Sequence, residues 1–229
     1  MLGPEELRIV TALAMLCLAS AWDLRSRSVS DWLWIAFGAA AVALYALDLP
    51  TVEELPMLFL GLGMVASVSF AAYKTGLFGG ADALGVIVLA LLVPAYSGTY
   101  MQAGEPGLLF PLTVFTNALL LSAFQVAANV ARNLLSLRRG LFAGFEQESR
   151  SKKVVAFLIG YRARNPRFAF PIEIGGSQRR FDFGFKNAET ADYESRKDVW
   201  VTPGIPFLVF LLAGLVVSIL FGDLIALLY

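Results

Sequence analysis

Six apolar runs separated by polar links constrain this chain more than any other feature. They cover about residues 7–22, 31–47, 56–73, 82–96, 108–135 and 205–228 of the 229. A bilayer's hydrocarbon core is about 30 Å thick and takes roughly 20 apolar residues as a helix. Inside it only helices and closed barrels satisfy their own backbone. Hydrophobic residues make up 58% of the chain and charged ones 16%, far from the balance of a water-soluble domain. The pattern predicts an α-helical polytopic membrane protein with six transmembrane helices. The first run follows Met1-Leu2-Gly3-Pro4-Glu5-Glu6, acidic where a secretory signal is basic, so it is expected to be a retained helix. The fourth run is short for a full crossing, and protein rather than lipid is expected to hold its first residues.

The stretch 136–201 breaks the pattern. It is charged and polar, with short alternating segments. Residues 168–174 and 179–183 read as two strands joined by a turn at Gly175-Gly176-Ser177, and 154–162 reads as another strand. The expected organisation is residues 1–135 with helices one to five, a small β-containing soluble insert at 136–201, and the last helix within 202–229. In the helical part, Ser30 or Asp31 suits an N-cap, and Trp32 and Trp34 suit a membrane interface. Asn117, Gln125 and Asn129 suggest a face packed inside the bundle.

Charge distribution sets an orientation. Arg25 and Arg27 occupy the first link, Lys74 the third, and the insert holds most other basic residues. The second link, with Asp48, Pro50, Glu53 and Glu54, has no Lys or Arg, and neither does the fourth at 97–107. By the positive-inside rule the insert is cytoplasmic and both termini are extracellular.

Histidine is absent, which removes Ser-His-Asp and Cys-His catalysis, histidine relays and histidine metal sites. The single cysteine, Cys17, allows no internal disulfide and no thiolate metal site, and is expected to be a small buried hydrophobe. Formal net charge is zero, which points to no nucleic-acid partner, and no residue set calls for a cofactor or a metal. Acid–base chemistry then falls to carboxylates, lysines or tyrosines.

Two aspartates stand out. Asp82 follows Gly79-Gly80-Ala81 at the head of an apolar run, and Asp23, in Ala21-Trp22-Asp23-Leu24-Arg25, ends the first run. Run one passes inward and run four outward, so both fall at the cytoplasmic end. Two carboxyl groups brought close share a proton, one acting as base and the other as acid. Such a pair can activate a water against a peptide carbonyl. Structural readings stand beside this one. Asp82 also suits an N-cap after a glycine turn, and Asp23 an interfacial position. An anion at a helix C-terminus opposes the macrodipole, however; Arg25 and Arg27 answer it, or simply report orientation. Asp31 reads as a cap, while Asp48, Glu53, Glu54 and Asp223 fall on the outer side and are set aside for chemistry.

Gly79-Gly80-Ala81-Asp82 resembles the GxGD motif of intramembrane aspartyl proteases, in the GGAD form associated with archaeal preflagellin peptidases. Asp23-Leu24-Arg25-Ser26-Arg27-Ser28-Val29-Ser30-Asp31 is similar to the first-aspartate signature of type IV prepilin peptidases. Pro203-Gly204-Ile205-Pro206-Phe207 is similar to the stretch that opens that family's last helix. Six spans with a soluble insert before the sixth resemble the archaeal branch. The resemblance covers most of the chain by topology and three short motifs by sequence, and Ala81 departs from the glycine of the general motif. It implies an aspartic endopeptidase of the cell membrane with Asp23 and Asp82 as the dyad. Gly79 and Gly80 would allow a tight turn or close approach of the substrate; Pro203 and Pro206 would shape the substrate path, or simply start a helix. The implied partner is an archaellin or pilin-like precursor, whose short basic leader is removed on the cytoplasmic side. The paired cysteines and the methylating region of bifunctional bacterial members are absent, so methyl transfer is not implied.

In the insert, Glu146, Glu148, Glu173, Asp182, Glu189, Asp192, Glu194 and Asp198 are mixed with Arg and Lys, and a solvated mixed surface is expected rather than a receptor for a basic leader. Two other classes compete with the protease. One is a non-enzymatic scaffold or transporter of an archaellum or pilus assembly system, with Asp82 as a cap and the insert as a docking module. The other is a Ser/Lys hydrolase built on Lys74, for which no serine nucleophile setting is evident.

Overall fold

A computed structural model describes residues 3–76, 78–96, 110–136, 140–175, 179–184 and 192–226. The fourth link at 97–107, the turn residues Gly176 and Ser177, and Glu189 lie outside the described residues. The described elements are α1 (Pro4–Ser26), α2 (Asp31–Leu47), α3 (Leu55–Lys74), α4 (Gly80–Leu92), α5 (Phe110–Ser122), α6 (Phe124–Ser136) and α7 (Arg150–Ile159). Five short strands follow: β1 (Tyr161–Ala163), β2 (Ala169–Pro171), β3 (Glu173–Ile174), β4 (Arg180–Phe181) and β5 (Val199–Pro203); α8 (Phe207–Phe221) comes last. The chain separates into two compact units, Met1–Ser122 with Pro206–Tyr229, and Ala123–Ile205.

The first unit is a helical bundle. Proline at the first position of α1 sacrifices no helix bond, and Glu6 reaches back to accept from Gly3 N at 3.0 Å. α5 packs most extensively on α8, α3 and α2 pack on α4, and α1 packs on α8. Met15, Leu16, Leu89, Leu92, Leu208, Leu211 and Leu215 form the fully buried centre. A Cβ built at Gly214 of α8 would stand 2.6 Å from Val114 O of α5, so the close approach of these two backbones requires glycine. Asn117 of α5 secures the same pair. It donates to Ser218 Oγ and to Gly222 O, each at 2.9 Å, and accepts from Leu224 N at 3.1 Å, satisfying the end of α8.

The outside of the bundle is as apolar as the inside, with Trp32, Ile35, Val42, Phe59, Leu60 and Phe70 exposed. Helices hydrophobic all round belong in a core or in lipid. By length and composition three helical stretches are able to cross a membrane: Pro4–Ser26, Leu55–Lys74 and Phe110–Ser136. Asp31–Leu47, Gly80–Leu92 and Phe207–Phe221 are shorter apolar helices.

Two expectations are corrected in this unit. Trp34 is 4% exposed, so it is core rather than an interface anchor; only Trp32, 76% exposed, faces outward. Cys17 is exposed, because the buried stripe of α1 runs through Arg8, Ile9, Ala12, Met15, Leu16, Ala19 and Ser20 and leaves Cys17 on the opposite side. The helix periodicity decides this, not the residue's average preference.

The second unit combines α6 and α7 with the strands. A three-stranded antiparallel sheet has the order β1-β5-β2, and β3 pairs with β4 through Glu173↔Phe181 and Ile174↔Arg180. The segment expected as a strand at 154–162 is helical up to Ile159. Ser149 Oγ accepts from Lys152 N at 3.3 Å to start α7, Gly160 ends it, and only 161–163 are strand. The run 168–174 is not one strand either; Ala169–Pro171 joins one sheet and Glu173–Ile174 the other. Asn133 of α6 donates to Phe157 O at 2.8 Å and Gly160 O at 2.7 Å, and Asn129 donates to Leu158 O at 3.3 Å. The polar stripe expected inside one bundle is therefore divided. Asn117 serves the first unit, and Asn129, with Gln125 beside it, serves the second.

The expected solvated mix of charges holds for Glu146, Asp192 and Asp198, which are exposed, but not for Glu173 and Glu194, which are buried, and several of the acids are paired internally. Glu173 binds Arg179, Glu194 binds Arg196, Asp198 binds Arg162, and Glu148 accepts from Phe181 N. The Arg196 guanidinium holds the Glu194 carboxyl below the usual carboxylate range, and the Arg162 fork does the same for Asp198. A group depressed on folding contributes stability that is complete above its unfolded pKa, about 4, and is lost as pH falls below that. Hydrogen-exchange protection of β1, β2 and β5, corrected for intrinsic exchange, is expected to stay level from pH 8 to about 5 and to fall from about pH 4 downward. Arg196→Ala should flatten part of that fall.

Candidate active site

Asp23 lies in the last turn of α1. The helix ends at Arg27, whose backbone N donates to Asp23 O at 3.0 Å and whose φ of 55° is left-handed. That conformation costs a non-glycine residue roughly 1–2 kcal/mol. It folds Arg27 back toward the helix, with Nη1 3.8 Å from Asp23 Oδ2 and each side chain 14% exposed. Asp23 Oδ2 is buried and accepts no hydrogen bond from the described residues.

Asp82 lies in the first turn of α4, two residues inside the helix start at Gly80. Gly79 holds the N-cap position, and Asp82 Oδ2 accepts from Gly79 N at 3.3 Å. Asp82 is thus not the N-cap itself but the third-residue partner that reaches back to it. α1 packs on α4, and the Asp82 carboxyl falls within coulombic reach of both Asp23 and Arg27. Among the described residues no hydrogen bond joins the two carboxyls.

The turn before α4 does not itself demand glycine at 79. Its backbone is extended, and a Cβ there would meet only Asp82 Oδ2, at 3.6 Å. The residue that needs glycine is Gly76, with φ of 72°. Ala81 packs against the core from the first turn of α4. Pro206 takes the N-cap position of α8, while Pro203 closes strand β5 opposite Ala169. Only the second proline therefore belongs to a helix start.

Two aromatic residues complete this end of the bundle and escaped the motif reading. Phe78, just before the glycine pair, stacks on Phe207 with centroids 4.5 Å apart, and Phe115 closes the trio at 5.7 and 6.0 Å. Ser20, one turn before Asp23, donates to Leu208 O at 3.0 Å. The heads of α4 and α8 and the tail of α1 are thereby fixed to one another. The available signal was Phe78, directly before the glycine pair; Phe115, inside an apolar run, left none. Among the described residues no group of three or more His, Cys, Asp or Glu side chains is placed to hold a metal.

Two family models and two curated relatives match this chain. The model of the Type IV leader peptidase family matches residues 10–127, a region that includes Asp23 and Asp82. The model described as Archaeal Peptidase A24 C-terminus Type II matches residues 184–224, which include Pro203, Pro206 and Phe207. The preflagellin peptidase of Methanococcus maripaludis is 24% identical over 235 residues, covering 94% of each chain. That of Methanocaldococcus jannaschii is 22% identical over 230 residues, covering 94% of this chain and 93% of its own.

Proposed function

The chain belongs to the type IV leader peptidase family, and on that premise we propose that it is a membrane-embedded aspartyl endopeptidase acting on archaellin or pilin-like precursors. It removes their short basic leader at the cytoplasmic face. The observation that carries the reading is the placement of Asp23 and Asp82 within coulombic reach of one another, in a region that matches the family.

The chemistry follows from two carboxyl groups and one water. One carboxylate takes a proton from the water as it attacks the scissile carbonyl, and the other carboxyl gives a proton to the leaving amine. The protons belong to the pair, so the roles are not divided between Asp23 and Asp82. Arg27, 3.8 Å from Asp23, orients that carboxylate. Gly79, with no side chain between backbone and Asp82, leaves room for an extended substrate.

The reading includes six spans, with both termini extracellular, residues 136–201 cytoplasmic and the last helix within 202–229. The shorter helices α2, α4 and α8 then cross with help from their flanking residues. The test is conversion of an archaellin-like precursor in membranes that carry the full chain. A single cut after the basic leader is expected, unaffected by serine or thiol reagents and lost when the leader's basic residues are changed to alanine. A precursor left intact by folded protein would favour a scaffold or transporter instead.

A further inference from the structure

At the end of the bundle away from the aspartates lies a cleft of about 400 Å³, formed where α1 and α3 begin and α2 and α4 end. Its most unusual wall residue is Arg8. Fifteen residues separate it from Asp23 on α1, roughly 22 Å at 1.5 Å per residue. Arg8 is 7% exposed. Its guanidinium lies 4.2 Å from the centroid of the Tyr45 ring, and Nη1 donates to Leu92 O, the last carbonyl of α4, at 3.4 Å. The backbone bond uses one of the five N–H donors of the fork. No carboxylate among the described residues forms an ion pair with it. The Tyr45 hydroxyl beside it is buried and interacts with the same guanidinium.

A buried cation is tolerated when an anion and hydrogen bonds compensate its lost hydration. Here the described residues supply one backbone carbonyl and the Tyr45 ring and hydroxyl but no carboxylate, and Arg8 lines the cleft. Neither Glu54 nor Asp48 fills the role. The Glu54 carboxylate is occupied in accepting from Thr51 N at 2.7 Å, and Asp48 is exposed to solvent. The opposite wall is apolar, with Met57, Leu58, Leu62 and Pro94.

We propose that this cleft binds an aminophospholipid. The phosphodiester lies on the Arg8 guanidinium, the headgroup ammonium lies toward the acidic rim of Asp48 and Glu54, and the first part of a hydrocarbon chain lies along the apolar wall. Each of the three chemistries in the cleft then meets its complement. A headgroup with phosphate but no amine leaves the rim unmatched, and a headgroup without its chain leaves the apolar wall unmatched. The site is independent of the aspartates and of what they cleave.

The test is native mass spectrometry of the full chain in mild detergent, with phosphatidylethanolamine, phosphatidylglycerol of the same chains, and water-soluble phosphoethanolamine. Phosphatidylethanolamine is expected to bind at least ~10-fold tighter than phosphatidylglycerol, with phosphoethanolamine weaker still. Arg8→Gln keeps a donor for Leu92 O and removes the charge, and should weaken lipid binding by about 10-fold or more. Asp48→Asn on the exposed rim should narrow the preference between the two lipids. Leu62→Trp, which fills the cleft and keeps Arg8, should weaken both, and it carries the test if Arg8→Gln fails to fold. Equal binding of the two lipids by the unaltered chain would overturn the proposal. So would unchanged binding by Arg8→Gln or Leu62→Trp, and phosphoethanolamine bound as tightly as the lipid would mark a site for a soluble ligand instead.

Discussion

Asp23→Asn and Asp82→Asn are each expected to lower leader removal by about 10³-fold or more while leaving the fold intact. Asparagine keeps the shape of the side chain and removes its ability to take or give a proton. At position 82 the structural duty survives the change, because an amide oxygen can accept from Gly79 N as the carboxylate does at 3.3 Å. The helix-start cost should stay under about 1 kcal/mol. At position 23 the loss is an ion pair at 3.8 Å to Arg27, worth at most about 1 kcal/mol. Stability and activity therefore separate by several kcal/mol, and a processing assay run beside a thermal melt reads both. The double variant should be no worse than either single one, since residues that act as a unit are not additive. Normal processing by both single variants would reduce Asp82 to a helix-start residue and Asp23 to an interfacial one, and the endopeptidase reading would fall.

The helices were legible because each carries a long apolar run and a clear stop. The run at 56–73 falls within α3, which spans Leu55–Lys74, and the GGAD and proline–phenylalanine motifs gave the family that the comparison identifies. Parity did the rest. Two helices, α2 and α3, lie between the tail of α1 and the head of α4, and an even number of up-and-down passes brings Asp23 and Asp82 to one end, whatever the packing details. What was not legible depends on packing. Val154–Val155 reads as strand by β-branching, but the Ser149 cap and the carbonyl partners offered by Asn129 and Asn133 make the segment helical. Strand β5 hides because Trp200 and Val201, both fully buried, merge in sequence with the apolar run that follows. Arg8 was invisible as a lone cation within an apolar run; only the geometry shows that no carboxylate among the described residues pairs with it.

The largest stability effect is expected in the second unit, from Glu173→Ala. Glu173 is 7% exposed and stands where a strand ladder would otherwise continue. Ile172 still donates to Trp200 O at 3.0 Å, but its own carbonyl accepts from Asp182 N at 2.9 Å, so the Trp200 N–H takes Glu173 instead. Glu173 Oε2 accepts from it at 2.9 Å and from Arg179 Nη2 at 2.7 Å, and Oε1 takes Arg179 Nε at 3.1 Å. Trp200 is itself fully buried, stacked on Phe142 at 5.2 Å and edge-on to Phe181 at 5.4 Å. Truncation to alanine orphans a buried N–H, strands a guanidinium and opens space beside that aromatic cluster. Breaking one side of a buried pair costs about 3–5 kcal/mol, a large share of the 5–15 kcal/mol of a typical domain. Arg179 is 23% exposed and retains Asp198 O at 2.7 Å, which places the expected loss nearer the lower figure. Glu173→Gln, which keeps the acceptor for Trp200 N and loses only charge, should cost about half as much. Hydrogen exchange on the full chain is the measurement: Glu173→Ala should lose protection in β1, β2 and β5 and keep it in α1, α4 and α8. Protection lost equally in the bundle helices would mean that the two units do not unfold separately. Unchanged protection in the strands would mean that Glu173 is not what holds β5 in place.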